Sequence, residues 1–225
     1  MEPMIVLLVV ASFSGILGQT DMACKSFIFS KNYSFPVELT YEGDGSQLLT
    51  FTACLRSCTK MTESIMFSIL SGLRYDYFFS ILGGGPDANT GLIWVEGQRV
   101  DVNFPTDDTR SSRSICLSWD SPNGEMVLWV NGKITEKKQF KKEGIKYIDP
   151  RIFIGPGQIF LGGKPMLEVG EVTDVHVWNR VLNPQDIEDY YHNKKGKVGN
   201  IINWRALKYD GAEGDFIIGP FRCKS

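Results

Sequence analysis

Five cysteines, Cys24, Cys54, Cys58, Cys116 and Cys223, are the most reactive side chains of this 225-residue chain. Thiols can pair oxidatively, bind soft metals or act as nucleophiles, and the compartment decides which. The N-terminus reads "MEPMIVLLVVASFSGILGQTD", an apolar run from Met4 to Val10 followed by small residues, the pattern of a secretory signal cleaved after Gly18. Residues 1–18 are expected to leave as a signal peptide and 19–225 to fold as one secreted, extracellular domain. Disulfides are favoured there over thiolate metal sites or catalytic thiols. Five is odd, so at least one cysteine is free or bonded to another chain, and about 15 pairings of the other four are open. In "SICLSWDS", Ile115, Leu117 and Trp119 project to one face of an extended strand and Cys116 and Ser118 to the other. Cys54 sits in "LLTFTACLRS", another alternating strand, which makes a strand-to-strand Cys54–Cys116 bond reasonable. Closing a loop of that length stabilises by about 4 kcal/mol in the chain-entropy picture. Cys24 and Cys223 flank the domain and are placed to join its ends. That leaves Cys58, as a buried thiol or an intersubunit bond.

Hydrolytic chemistry is less well provided for. A glycosidase needs two carboxylates about 5–9 Å apart across the sugar. The nearest candidates are Glu168, Glu171 and Asp174, but at period two Glu171 faces away from the other two. The two histidines are His176 and His192, and His176 lies in an alternating strand, which reads as a satisfied structural imidazole. No nucleophile elbow or phosphate loop is present, so the chain is not read as an enzyme. A net charge of −2 gives no global case for nucleic acid or a membrane surface. Local basic clusters do occur: Lys133, Lys137, Lys138, Lys141 and Lys142, then Lys194, Lys195 and Lys197. They read either as solvated edges that discourage sheet-to-sheet aggregation or as a patch for anionic polysaccharide or microbial surfaces. Asn32 in Asn-Tyr-Ser is a glycosylation acceptor.

The elements that must carry these residues are mostly strands. The runs "SFIFS", "SIMFSIL", "YDYFFSIL", "LIWVEGQRVDV", "RIFIG" and "EVTDVHVW" are separated by Gly and Pro, which suggests two packed sheets. In "EMVLWVNGKITEKKQF", Asn131-Gly132 offers the two positive-φ positions of a type I′ hairpin. One helix is predicted in "VLNPQDIEDYYHNK": Asn183 caps it, Pro184 takes the first helical position, and Ile187, Tyr190 and Tyr191 fall on one side. Ser12, Ser14 and Gly15 interrupt an N-terminal run already short for spanning, and nothing later is apolar for long enough to cross a bilayer.

"CLSWDS", "LWVNGK", "VWNRVLNPQDI" and "NWRALKYDG" resemble the pentraxin family over about residues 19–218, and "QTDM" resembles the start of that family's mature chains. The family motif His-x-Cys-x-Ser/Thr-Trp-x-Ser/Thr is matched except that Ser114 stands in the histidine position. The resemblance implies an all-β fold, a lectin-like jelly-roll β sandwich of two antiparallel sheets with one helix packed on a sheet face, and assembly into a homopentamer. It also implies the Cys54–Cys116 bond and a multivalent pattern-recognition role in innate immunity, with complement components among the partners.

The family's calcium site carries over only in part. Asp76 matches an aspartate ligand and Gln158 a carbonyl donor, whereas Tyr77, Gly157 and Ile159 replace an Asn, a Glu and an Asp. Two further ligands fall where the chain is shorter, between Lys164 and Glu168. Ca²⁺ wants six to eight oxygens at about 2.3–2.6 Å, so the expectation is a degenerate site unless a rearranged loop, through Glu168 or Glu171, restores it. In the phosphocholine pocket Trp94 replaces a small threonine and Arg99 replaces the glutamate that faces the choline cation. Arg99 would repel that cation, leaving either an anion-preferring site or a packed Trp beside a solvated Arg. A laminin G-like adhesion module, which shares the sandwich and the "WVNGK" hairpin, is the alternative reading.

Overall fold

Period-two burial governs most of the chain. The computed structural model describes residues 19–29, 36–43, 48–59, 64–71, 76–83, 90–95, 98–104, 112–140, 150–155, 170–194, 196–211 and 216–222. Along them run β1 (Lys25–Phe29), β2 (Val37–Thr40), β3 (Phe51–Thr59), β4 (Ser64–Ser71), β5 (Asp76–Gly83), β6 (Thr90–Val95), β7 (Gln98–Asn103) and β8 (Arg113–Asp120). Then come β9 (Glu125–Val130), β10 (Lys133–Gln139), β11 (Arg151–Ile154), β12 (Gly170–Trp178), helix α1 (Pro184–Tyr191), β13 (Ile202–Asn203), β14 (Lys208–Asp210) and β15 (Ile217–Pro220).

The first sheet has the order β10-β9-β8-β3-β12-β1-β15, with β13 also paired to β12; the second has the order β14-β2-β11-β4-β5-β6-β7. Neighbouring strands are antiparallel throughout. This is the expected sandwich. Its core lies between the sheets, with Phe27, Leu55, Leu117, Trp119 and Val175 meeting Leu39, Ile69, Phe79, Ile81 and Ile152. Phe79 crosses the interlayer to Phe51 at 4.9 Å and Trp119 at 5.4 Å between ring centroids. Each such side chain contributes about 1.5–3 kcal/mol by leaving water.

β8 is buried along nearly its whole length because each of its faces has a partner. Ile115, Leu117 and Trp119 enter the interlayer core. Cys116 faces outward into a second cluster with Cys54, Val127, Trp129 and Trp178, covered by Leu182, Ile187 and Tyr190. The helix therefore packs on the outer face of the first sheet. Asn183 caps it by accepting the Asp186 N–H at 2.8 Å, and Pro184 opens it. Ile187 and Tyr190 are buried as predicted, while Tyr191 is half-buried.

The Asn131-Gly132 turn has both residues at positive φ, 51° and 77°. At the position where the family motif has histidine, the Ser114 N–H donates to Asn131 Oδ1 at 3.0 Å and the Ser114 carbonyl accepts the Asn131 N–H at 2.8 Å. The hairpin tip is thus tied to the start of β8. Met22 is fully buried and Thr20 bridges to Leu207, so the chain is anchored from its first described residues. Residues 1–18, assigned to a signal peptide from the sequence, lie outside the described residues.

Cys54 and Cys116 are directly opposed in register and are joined, with Cα atoms 4.1 Å apart. The other cysteine expectations are corrected. Cys24 is a free, exposed thiol, held in the turn before β1 at a φ of 58°. Cys58, expected to be left over, is disulfide-bonded. The proposed Cys24–Cys223 closure therefore fails at Cys24, which the turn directs to solvent; Cys223 lies outside the described residues.

Candidate functional site

The outer face of the second sheet carries a row of register-matched residues: Ser68 opposite Ser80, Ser80 opposite Trp94, and Trp94 opposite Arg99. Their chain neighbours Phe67, Ile69, Phe79, Ile81, Ile93, Val95 and Val100 turn inward to the core, which fixes the row on the other side. Ser80 is fully buried. Its Oγ and the Trp94 Nε1, both shielded from water, have no hydrogen-bond partner among the described residues. An unsatisfied buried donor of this kind costs about 1–3 kcal/mol. Arg99 sits on the edge strand with its side chain 60% exposed, and its Nε and Nη2 both donate to Asp101 Oδ1, at 2.8 and 2.6 Å. It is held in place by a carboxylate two residues on, rather than simply solvated. The Trp94 Nε1 is turned away from water and the Arg99 charge is paired with Asp101, so toward a ligand the row offers the indole and the remaining N–H groups of the guanidinium, a polarity that suits a hydrogen-bond acceptor.

Asp76 is the first residue of β5, opposite Ser71, and Tyr77 is opposite Leu70. A bulge intervenes before Ser80, since Ile69 pairs with Phe79 and Leu70 with Tyr77. Gln158, Gly157, Ile159, Glu168 and the acceptor Asn32 lie outside the described residues. Among the described residues no group of three or more His, Cys, Asp or Glu side chains could hold a metal ion. The donor chemistry at the family's positions, one Asp, one carbonyl, a Tyr, a Gly and an Ile, does not fit calcium's demand for several carboxylates.

A second concentration of polar groups lies on the opposite face of the molecule, where the helix meets the first sheet. Arg56 of β3, with its side chain 10% exposed, donates from Nε to Asp174 Oδ2 at 3.1 Å. Its Nη2 reaches the carbonyls of Tyr190 and Tyr191 and Asn193 Oδ1 at 2.8–2.9 Å, so it caps the helix C-terminus. Its guanidinium also lies 5.1 Å from the Tyr190 ring centroid. Asp174 stands in a bulge of β12 at a φ of 54°. Strict alternation would turn it away from Glu171, but the bulge swings its carboxylate to the same outer face, which corrects the period-two expectation. Burial pushes the Asp174 carboxyl up, but the hydrogen bond to His176, followed by the charge and hydrogen bond of Arg56, outweighs it and holds the pKa below the ordinary value.

His176 is buried, its Nδ1 accepting the N–H groups of Gly199 and Trp204 at 3.2 and 3.4 Å while Nε2 points to Asp174 Oδ1 at 3.3 Å. It is the structural imidazole that the alternation implied. A cleft of about 370 Å³ opens over Asp174, His176, Tyr190, Asn193 and Arg205. Sequence reasoning missed Arg56; its one signal was a lone charged residue at an outward position of an otherwise uncharged strand.

Two lysines after the helix do not present free charge. Lys194 pairs with Asp189 at 2.7 Å and Lys197 with Asp186 at 2.6 Å. Hydrogen bonds from Lys194 and then Gln185 pull the Asp189 carboxyl to about 2. On the edge strand β10, Lys137 pairs with Glu125 at 2.8 Å and the Lys138 ammonium lies 5.7 Å from the Phe140 ring centroid. Lys141, Lys142 and Lys195 lie outside the described residues.

The profile of the Pentaxin family matches residues 25–220. The chain belongs to the pentraxin family. This pentraxin is 30% identical to the C-reactive protein of Sus scrofa over 223 residues, covering 95% of each chain. It is 31% identical to the serum amyloid P-component of Cavia porcellus over 211 residues, covering 88% of each. Among solved structures, the heptameric SAP-like pentraxin of Limulus polyphemus superposes with a TM-score of 0.66 at 19% identity, covering 87% of this chain and 94% of that one. A putative carbohydrate binding protein of Bacteroides ovatus gives 0.62 at 14% identity, over 92% and 62%. These last two likenesses bear on the fold alone. Membership in the family of C-reactive protein and serum amyloid P-component makes the chain a binding protein and not an enzyme.

Proposed function

We propose that this pentraxin is a secreted, ring-forming, multivalent recognition protein of innate defence. It reads microbial or damaged-cell surfaces through the outer face of the second sheet, without the family's calcium–phosphocholine chemistry. The observation that carries the reading is the cross-strand pairing of Trp94 with Arg99. An indole fills the place of a small pocket residue, and a cation held by Asp101 occupies the place of the carboxylate that would face choline. Carboxylate, sulfate or phosphate groups on polysaccharide are the fitting ligand class, and repetition around a ring converts weak single sites into avidity.

Leader removal after Gly18, glycan attachment at Asn32 and engagement of complement components belong to the same reading and rest on the sequence and the family. Calcium has no part in the mechanism, because Tyr77, Gly157 and Ile159 cannot supply the oxygens it requires.

Calorimetric titration of the purified oligomer with Ca²⁺, followed by passage over phosphocholine resin with and without chelator, tests this reading. The expected result is no pair of micromolar calcium sites and no chelator-releasable retention. Two tight sites, or specific retention released by chelator, would sink it.

A further inference from the structure

The cleft of about 370 Å³ between β12 and the end of α1 lies on the opposite face of the molecule from the Trp94–Arg99 row. That volume is at the lower end of the range for small-molecule sites.

Most charges around the cleft are already matched. Asp174 is compensated by Arg56 at 3.1 Å. Lys194 is held by Asp189 at 2.7 Å, and Lys197 by Asp186 at 2.6 Å and Asp189 at 3.4 Å. His176 accepts two N–H groups at Nδ1, so the imidazole carries one proton, on Nε2, and adds no charge. Arg205 remains. Its side chain lines the cleft, is exposed, and is paired with no carboxylate among the described residues. The backbone that carries it is fixed. The preceding Trp204 is buried and its N–H donates to His176 Nδ1 at 3.4 Å, while the Arg205 N–H donates to Asn203 Oδ1 at 3.0 Å.

The neutral hydrogen-bonding groups are also one-sided in what they leave over. Asn193 Oδ1 accepts from Arg56 Nη2 at 2.9 Å, which leaves its Nδ2 as a donor. The Tyr190 hydroxyl donates to the Asp174 carbonyl at 2.7 Å, which leaves its oxygen as an acceptor. Each carboxylate oxygen of Asp174 takes a single hydrogen bond in this cluster, from Arg56 or His176, and keeps a lone pair on a side chain that is 27% exposed.

We propose that this cleft is a calcium-independent site for one acidic sugar, with the carboxylate on Arg205 and the hydroxyls on Asp174, Tyr190 and Asn193. A single uncompensated cation matches a single negative charge, and the planar fork of a guanidinium matches a carboxylate with two parallel hydrogen bonds. A cationic guest finds no free charge, because Arg56 already neutralises Asp174 and Arg205 repels it. Hydroxyl groups fit the remaining positions because each both donates and accepts. This site does not rest on the ligand reading of the second sheet.

The test is titration calorimetry of the purified protein with glucuronate, glucose and acetate, with chelator present throughout so that the outcome is independent of any calcium site. Glucose carries the hydroxyls without the charge, and acetate the charge without the hydroxyls. The expected result is saturable binding of glucuronate, tighter than either control by about tenfold or more. Arg205→Ala, at an exposed position, should weaken glucuronate by about tenfold or more, and Arg205→Lys, which keeps the charge and loses the fork, should fall between the two. Glucuronate binding no tighter than glucose or acetate, or unchanged affinity in Arg205→Ala, would overturn the proposal. So would loss of binding in Arg99→Ala with Arg205→Ala unaffected, which would move the sugar to the second sheet.

Discussion

Arg56 and Asp174 show how a buried charge pair can hold two elements together. The guanidinium satisfies helix-end carbonyls that would otherwise be unpaired, and Asp174 neutralises it while orienting His176. Because the folded carboxyl sits below its ordinary value, the stabilisation it brings is complete above the unfolded pKa of about 3.9 and is lost as the pH falls through the lower folded value. Asp174→Asn tests this cleanly, since asparagine tolerates the positive φ that the bulge imposes. The wild-type protein should have the higher thermal midpoint at pH 5–7, and the gap should narrow as the pH falls below the unfolded pKa and through the lower folded value. A gap that stays constant down to pH 2 would show that the charge of Asp174 contributes nothing.

Little of this arrangement was legible in the sequence. A bulge leaves no mark on the alternation of "EVTDVHVW", so Asp174 reads as facing the wrong way. The fates of Cys24 and Cys58 were hidden for a related reason: a pattern along one strand does not say which strands lie beside it.

At the scale of elements the sequence was more informative, because hydrophobic alternation and turn chemistry act locally. β1, β4, β8, β9 and β12 were readable as strands, and Asn183-Pro184 marked the start of the helix. The short strands β2, β13, β14 and β15 carried too few residues to show a period, and tertiary pairing defines them. The β9–β10 hairpin depends on its glycine twice. Gly132 has a φ of +77°, and a Cβ there would lie 3.1 Å from the Tyr191 ring. Gly132→Ala should therefore strain the turn and push on the end of the helix, costing about 1–2 kcal/mol and lowering the thermal midpoint by about 2–8 °C. An unchanged midpoint would mean that the hairpin and the Tyr191 ring give way freely.

For the whole molecule, the two-sheet sandwich with one covering helix followed from the sequence together with the family resemblance. The ligand face followed only in part, since Trp94 and Arg99 were identifiable but the clamp of Asp101 on Arg99 was not. The resemblance implies a closed ring, and the Limulus relative described above is a heptamer. Sedimentation equilibrium on the purified protein should return a closed multiple of the chain mass, with five copies the expectation from the resemblance. A concentration-independent monomer would count against multivalent recognition and favour a single-site adhesion module.

The strand β10 lies at the open border of the first sheet, broken by a bulge between Ile134 and Glu136 and bearing Lys133, Lys137 and Lys138. Such a rim is a poor template for a stranger's backbone, since any incoming strand meets both a register fault and repelling ammonium groups. Molecules of this kind can therefore crowd together at high concentration without growing into fibrils from that border, and the contacts that build an orderly assembly must be sought elsewhere on the surface.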